Sequence, residues 1–134
     1  MKLLIDTHIL IWMIEKPSEL SPQTKELIED YSNTLYVSVE SLREIVIKQR
    51  TGEIAIKTSF AEFCKLVKQY AVKVVNTEIN HILTFEKLLV PLNHKDPFDH
   101  IIISTAITGK FTLISSDRKF LPYTKQGLNI FLNK

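Results

Sequence analysis

The stretch NHKDPFDHIIISTA, residues 93–106, sets two carboxylates, Asp96 and Asp99, directly ahead of an almost wholly apolar run. Two histidines and a lysine flank them. Three further acids stand in distant parts of the chain: Asp6 after KLLI, Glu44 within SVESLREIVIK, and Asp117 after FTLISS. Carboxylates gathered in one place repel one another. At an effective dielectric near 20, two unit charges about 4 Å apart interact with roughly 4 kcal/mol. A fold meets that cost by protonating an acid or by binding a cation. Oxygen-only donors suit Mg²⁺ or Mn²⁺, which keep several waters and also accept phosphate oxygens. Such a site activates a water and stabilises the leaving oxygen of a phosphodiester.

Each acid also has an ordinary local explanation. Asp96 before Pro97 fits a helix N-cap followed by a first-turn proline. Asp99 then falls in the first turn, where exposed N–H groups and the helix dipole favour a carboxylate. Glu44 stands one helical turn before Lys48 and can pair with it. Asp6 and Asp117 can be strand-end turn residues. Taken singly, no acid decides between these readings and a metal site; what would decide is whether the fold gathers them.

The elements that must position these residues are legible as alternating strands and helices. KLLI (2–5) reads as a short buried strand, and a helix follows from about His8 to Glu15, ending at Lys16-Pro17. Ser21-Pro22 opens a helix to about Tyr31. LYVSV (35–39) is a second strand, and 40–49 a helix closed by Thr51-Gly52. Ser59 and Glu62 match a capping box that starts a helix to about Tyr70. VKVV (72–75) is a third strand, and Thr77 is placed to cap a helix over 78–87. Asp96-Pro97 begins a helix that runs to Ile107 and stops at Gly109. FTLIS (111–115) is a fourth strand, a helical turn ends near Pro122, and LNIFL (128–132) is a fifth strand. This alternation predicts one α/β domain over 1–134, with a mainly parallel five-stranded sheet and helices on both faces. In such sheets ligands bind at the carboxyl ends of the strands, where strand order reverses. Asp6, Glu44, Asp99 and Asp117 all fall at or just after that edge.

The bulk composition sets outer bounds. The 134 residues are 45% hydrophobic and 24% charged with a formal net charge of +2, which fits a soluble globular protein. A charge so near zero neither requires nor excludes nucleic acid, because a local patch matters more than the sum. Cys64 is the one cysteine, so no internal disulfide is possible, and a reducing cytoplasm fits. No apolar run reaches the ~18 residues of a membrane span, so no membrane partner is expected. MKLLIDTHILIWMIEK is not read as a signal peptide, because Asp6 and His8 interrupt it and no small-residue cleavage site follows.

The stretches LLIDTHILIW, YVSVESLREIVIK, PLNHKDPFDHIIISTA and TLISSDRKF, in that order over most of residues 2–121, resemble PIN-domain proteins. The likeness is in particular to VapC-type toxins of bacterial toxin–antitoxin pairs. The resemblance implies a parallel sheet sandwiched by helices, an acidic pocket and Mg²⁺- or Mn²⁺-dependent cleavage of RNA. It implies Asp6, Glu44, Asp99 and Asp117 as metal-binding catalytic acids, with Ser115 and Asp96 supporting the pocket. It further implies a homodimer and a cognate antitoxin whose tail blocks the pocket. Two positions depart from the pattern: His100 stands where similar sequences commonly carry Arg, and Arg43 where they carry an aromatic residue. Both bear on RNA contact and packing rather than on the acids.

Lys48, Arg50, Lys95, His100 and Arg118 are the candidates for touching RNA phosphates, and each can equally be a solvated surface group. His8 reads as structural and Trp12 as core. Tyr36 could stack on a base or line an interface. No HExxH spacing or cysteine cluster points to zinc, and no GxGxxG or P-loop to a nucleotide. A receiver-like domain needs an acidic neighbour for Asp6, and a haloacid-dehalogenase-like phosphatase needs Asp where the chain has His8. The remaining alternative is a non-catalytic PIN-fold module that binds RNA or protein.

Overall fold

The computed structural model describes residues 1–134. Five strands, β1 (Lys2–Ile5), β2 (Thr34–Ser38), β3 (Lys73–Val75), β4 (Thr112–Ser115) and β5 (Asn129–Leu132), form one sheet in the order β3-β2-β1-β4-β5. Every pairing is parallel, with Leu3 beside both Leu35 and Thr112. The chain builds outward from β1 in one direction through β2 and β3, and in the other through β4 and β5. Strand order therefore reverses between β1 and β4, which places the ligand crevice at their carboxyl ends.

Six helices flank the sheet: α1 (Thr7–Glu15), α2 (Pro22–Glu29), α3 (Val39–Thr51), α4 (Phe60–Gln69), α5 (Ile79–Lys87) and α6 (Pro97–Gly109). β1 alternates its side chains between two cores, as strand geometry requires. Leu3 and Ile5 face a cluster with Ile9, Leu10, Ile45 and Phe63. Leu4 faces the opposite cluster with Ile102, Ile103, Phe120 and Tyr123. Both faces of the central strand are thus covered, which is why KLLI is a continuous apolar run rather than an alternating one.

The helix starts follow from their caps. Ser21 accepts from the Thr24 N–H, Ser59 from Glu62 and Asp96 from Phe98, with Pro22 and Pro97 in the first turns. Gly52 takes the left-handed conformation at φ +81° and closes α3. Three local details differ from the sequence expectations. Thr77 does not cap α5; Glu78 holds that position, and the Thr77 hydroxyl donates to Glu40 Oε2 at 3.2 Å, a partner 37 residues away. Lys110, not Gly109, takes the left-handed turn after α6, at φ +55°. Gly109 serves the close approach of Phe111, whose ring would lie 2.3 Å from a β-carbon there. The segment after β4 is a run of 3₁₀ turns over Arg118–Gln126 that passes through Pro122 instead of ending there. Phe120 and Tyr123 bury their rings in that run, and short 3₁₀ turns tolerate the missing proline N–H better than an α-helix does.

Candidate metal centre

At the switch point, the first strand delivers its acid directly. Ile5 pairs with Ile114, and the Asp6 N–H still donates to the Ile114 carbonyl at 2.9 Å, so the sheet itself fixes the Asp6 backbone. Asp6 also caps α1: its Oδ1 accepts from the Thr7 N–H at 2.8 Å. Its Oδ2 accepts from the Ser115 hydroxyl at 2.7 Å, from the end of the neighbouring strand. The same Ser115 oxygen accepts from the Asp117 N–H at 3.0 Å, and Asp117 Oδ1 caps the 3₁₀ run through the Lys119 N–H. The turn and cap readings of Asp6 and Asp117 are thus realised, and they aim both acids at one cavity.

That cavity has a volume of about 220 Å³ and no hydrophobic residue in its lining. Asp6, Glu44, Asp96, Asp99 and Asp117 all line it, together with Lys48, Lys95 and Lys119. Glu44, Asp96 and Asp99 each offer an oxygen within 4.8 Å of the others. Glu44 is buried; its Oε1 lies 2.5 Å from the Thr7 hydroxyl, which is also 2.9 Å from the Ser41 hydroxyl. Lys48, one turn along α3, places its ammonium 2.5 Å from Glu44 Oε2 and 2.6 Å from Asp96 Oδ2. Glu44 therefore both pairs with Lys48 and lines the cavity with the other acids. Asp96 likewise does two things: Oδ1 caps α6 through the Phe98 N–H, and Oδ2 faces Lys48.

Asp99 is held from behind by a buried polar chain. Its Oδ2 lies 2.8 Å from His94 Nε2, and His94 Nδ1 lies 2.9 Å from the Tyr123 hydroxyl. His100 Nε2 in turn donates to the His94 carbonyl at 2.8 Å, which fixes the loop.

The electrostatics match the crowding. Burial, followed by the Asp99 charge, pushes the Asp6 carboxyl from 3.8 up to about 7, against the opposing hydrogen bonds from Ser115 and Thr7. Burial, followed by the Asp96 and Glu44 charges, pushes Asp99 up to about 7 as well. Burial lowers His94, which favours its neutral ring. Burial works against the Lys48 charge, but the hydrogen bonds it donates to Asp96 and Glu44 win and raise its pKa. Burial similarly works against the Asp96 charge, and the Lys48 bond overcomes it, so Asp96 is lowered. Burial and neighbouring carboxylates thus make both acids hold their protons more tightly, and a divalent cation binding there would displace them.

Several expected roles are redistributed. His100 is buried and bonded within the protein, so it is not on the rim as a phosphate contact. Lys48 lies within the acid cluster, with 17% of its side chain exposed. Arg50 and Arg118 are exposed but do not line the cavity, whereas Lys95 does. His8 is exposed, meets Trp12 at a tilt with ring centroids 5.9 Å apart, and lines the cavity. Trp12 packs half-buried against the larger core, and Tyr36 meets Phe111 edge-on at 5.1 Å, away from the acids. Thr7, Ser41, His94 and Lys119 were not assigned from sequence. Thr7 had a signal, since it follows Asp6 at the first position of a helix. Ser41 had one too, three residues before Glu44 on the same helical face. Lys119 stands two residues after Asp117 on a turn, and His94 belongs to a loop with no periodicity to read.

The family model for the PIN domain matches residues 3–125. The chain belongs to the PIN domain family. PIN domains are a family of nucleases that use divalent metals, and the acid cluster described above lies within the matched span. Among solved structures, the PIN chain is similar to one in DNA-bound VapBC from Salmonella typhimurium, at 16% identity and TM-score 0.71, covering 100% of this chain and 99% of that one. It is similar to one in VapBC-1 from nontypeable Haemophilus influenzae, at 19% identity and TM-score 0.69, covering 98% of each. A third, in VapBC2 from Rickettsia felis bound to a fragment of promoter DNA, has 15% identity and TM-score 0.68 over 100% of each chain. At these identities the likeness is one of fold. No curated protein is similar enough to count as a relative. No helix is long and apolar enough to cross a membrane.

Proposed function

We propose that this PIN domain is a divalent-metal-dependent endoribonuclease and the toxin of a toxin–antitoxin pair. The observation that carries the reading is the wholly polar cavity at the sheet's switch point, where five carboxylates from four separate segments converge. The residues fit Mg²⁺ or Mn²⁺: the donors are all carboxylate oxygens, and the cluster already draws in one cation, the Lys48 ammonium. Asp6, Glu44, Asp99 and Asp117 would hold the metal, with Asp96 beside them. When bound, such an ion lowers the pKa of a coordinated water and offsets charge on a phosphodiester.

The chain's own residues prepare for this. Ser115 and the Thr7 N–H fix both Asp6 oxygens, and the Thr7 hydroxyl fixes Glu44. His94 orients Asp99, the kind of outer support that metal-binding carboxylates commonly have. Lys95 and Lys119 at the cavity lining supply positive charge toward an RNA backbone. The similar chains come from toxin–antitoxin assemblies, which supports an antitoxin as partner; a homodimer and a cytoplasmic site of action are proposed with it.

The reading is tested by incubating the protein with single-stranded RNA and Mg²⁺ or Mn²⁺, then with chelator, and repeating with Asp6→Asn and Asp99→Asn. Cleavage to 5′-phosphate and 3′-hydroxyl ends that is lost in all three controls supports it. Cleavage that survives chelation or both substitutions rules it out. RNA binding without turnover would favour a non-catalytic PIN module instead.

A further inference from the structure

The acids of this cavity divide into two groups by the partners they already have. Lys48 donates to both Glu44 and Asp96, whose other oxygens accept from the Thr7 hydroxyl and the Phe98 N–H, whereas the two Asp6 oxygens accept only from the neutral Thr7 N–H and Ser115 hydroxyl. No lysine or arginine pairs with Asp6, Asp99 or Asp117; the only bridge among them is Asp99 to His94. Two of the five acids thus carry a cation supplied by the chain, and the other three pair with no lysine or arginine.

Lys48 is anchored to stay there. It rises from the same helix as Glu44, one turn later, and reaches the cap of α6 on a separate segment. Its ammonium also lies 5.8 Å from the centre of the Phe98 ring, and the Arg43 guanidinium lies 4.8 Å from the same centre. Two-ion phosphodiesterases space their cations about 3.5–4 Å apart, each held by shared carboxylates. A lysine ammonium is a compact point charge able to take one such position without waters or exchange.

We propose that Lys48 is the fixed second cation of this centre, so that the chain binds one divalent ion among the remaining carboxylate oxygens of the cavity. The inference rests on reading the cavity as a divalent-cation site and adds its stoichiometry. Lys48 is then a positioning residue that restricts the metal to one place, rather than a contact on the RNA rim.

Counting Mn²⁺ ions tests it without reference to cleavage. Electron paramagnetic resonance of free Mn²⁺, with calorimetry, gives the number bound per chain for the wild type, Lys48→Met and Lys48→Arg; circular dichroism checks each fold. The expected result is one ion for the wild type and for Lys48→Arg. Lys48→Met should bind two, with the spin-coupled spectrum of neighbouring Mn²⁺ ions. Two ions in the wild type, or one in a folded Lys48→Met, overturns the proposal. If the methionine variant does not fold, Lys48→Gln replaces it and the wild-type count still decides. No Mn²⁺ bound by any form defeats the cation reading itself, an outcome distinct from a second ion in the wild type.

Discussion

Asp6 offers a test in which function and stability pull in opposite directions. Its carboxyl stands at about 7 in the folded chain against 3.8 in a model peptide, chiefly because burial penalises the charge. A raised acid holds its proton more tightly when folded, so its stabilising contribution is complete below about pH 4. That contribution is lost as the pH climbs from 4 to about 7. At 1.36 kcal/mol per pH unit the loss is about 4 kcal/mol. Asp6→Asn keeps a carbonyl for the Thr7 N–H and places an amide opposite the Ser115 hydroxyl, so it removes the charge with little loss of contacts. In EDTA, the variant should therefore gain on the wild type as pH rises, reaching an advantage of about 4 kcal/mol at pH 8. In melting temperature that is on the order of 10 °C. Comparing the two proteins cancels the opposing contribution of His94, whose lowered pKa makes the fold less stable as pH falls below its unfolded value. Asp96, being lowered, changes only below pH 4 and does not enter. Mn²⁺ should narrow the gap: at a hundredfold excess over Kd it adds about 2.7 kcal/mol to the wild type and little to the variant. The assay is urea or thermal unfolding at pH 4.5 to 8, with chelator and with Mn²⁺. A wild type that matches or exceeds Asp6→Asn at pH 8 in chelator, or a variant stabilised equally by Mn²⁺, refutes the reasoning.

Mn²⁺ affinity by calorimetry should fall steeply as pH drops below 7, by up to about a hundredfold per unit if Asp6 and Asp99 each surrender a proton; a flat profile between pH 5 and 7 counts against both acids as ligands. Ser115→Ala removes the donor to Asp6 Oδ2, so it should cost about 1–3 kcal/mol and weaken Mn²⁺ binding, whereas loss of stability with unchanged affinity would make Ser115 purely structural. Phe63→Ala, in the core remote from the cavity lining, should cost about 3–5 kcal/mol in unfolding while leaving Mn²⁺ stoichiometry unchanged at low temperature. Gly109→Ala should lower the melting temperature, because its β-carbon would meet the Phe111 ring; an unchanged melt would show that the ring moves freely.

The residues differ in how much of their role was readable from sequence. Asp6 was legible because a four-residue apolar run before a polar residue is what a strand buried on both faces requires. The starts of α2, α4 and α6 were legible because Ser21, Ser59 and Asp96 act on N–H groups two or three residues away. Thr77 misled for the converse reason: its hydroxyl found Glu40 across the fold, and nothing local reports such a partner. Gly109 was read as a helix terminator when its role is to make room for a ring two residues on. In the cavity, the acids carried the pattern, but the division of labour did not. Lys48 and Glu44 were visible as a pair; that Asp96 completes it depends on how α3 lies against α6. His94 was invisible as a support for Asp99, because the contact spans a loop whose course is set by Tyr123 and His100.

The central claim is that acids from remote segments form one cation site at the carboxyl ends of β1 and β4. Diffraction from crystals grown with Mn²⁺, recorded for its anomalous signal, tests this most directly. The account predicts a peak in contact with carboxylate oxygens of Asp6 and Asp99. Mn²⁺ found only at surface acids, with none in the cavity, would contradict it.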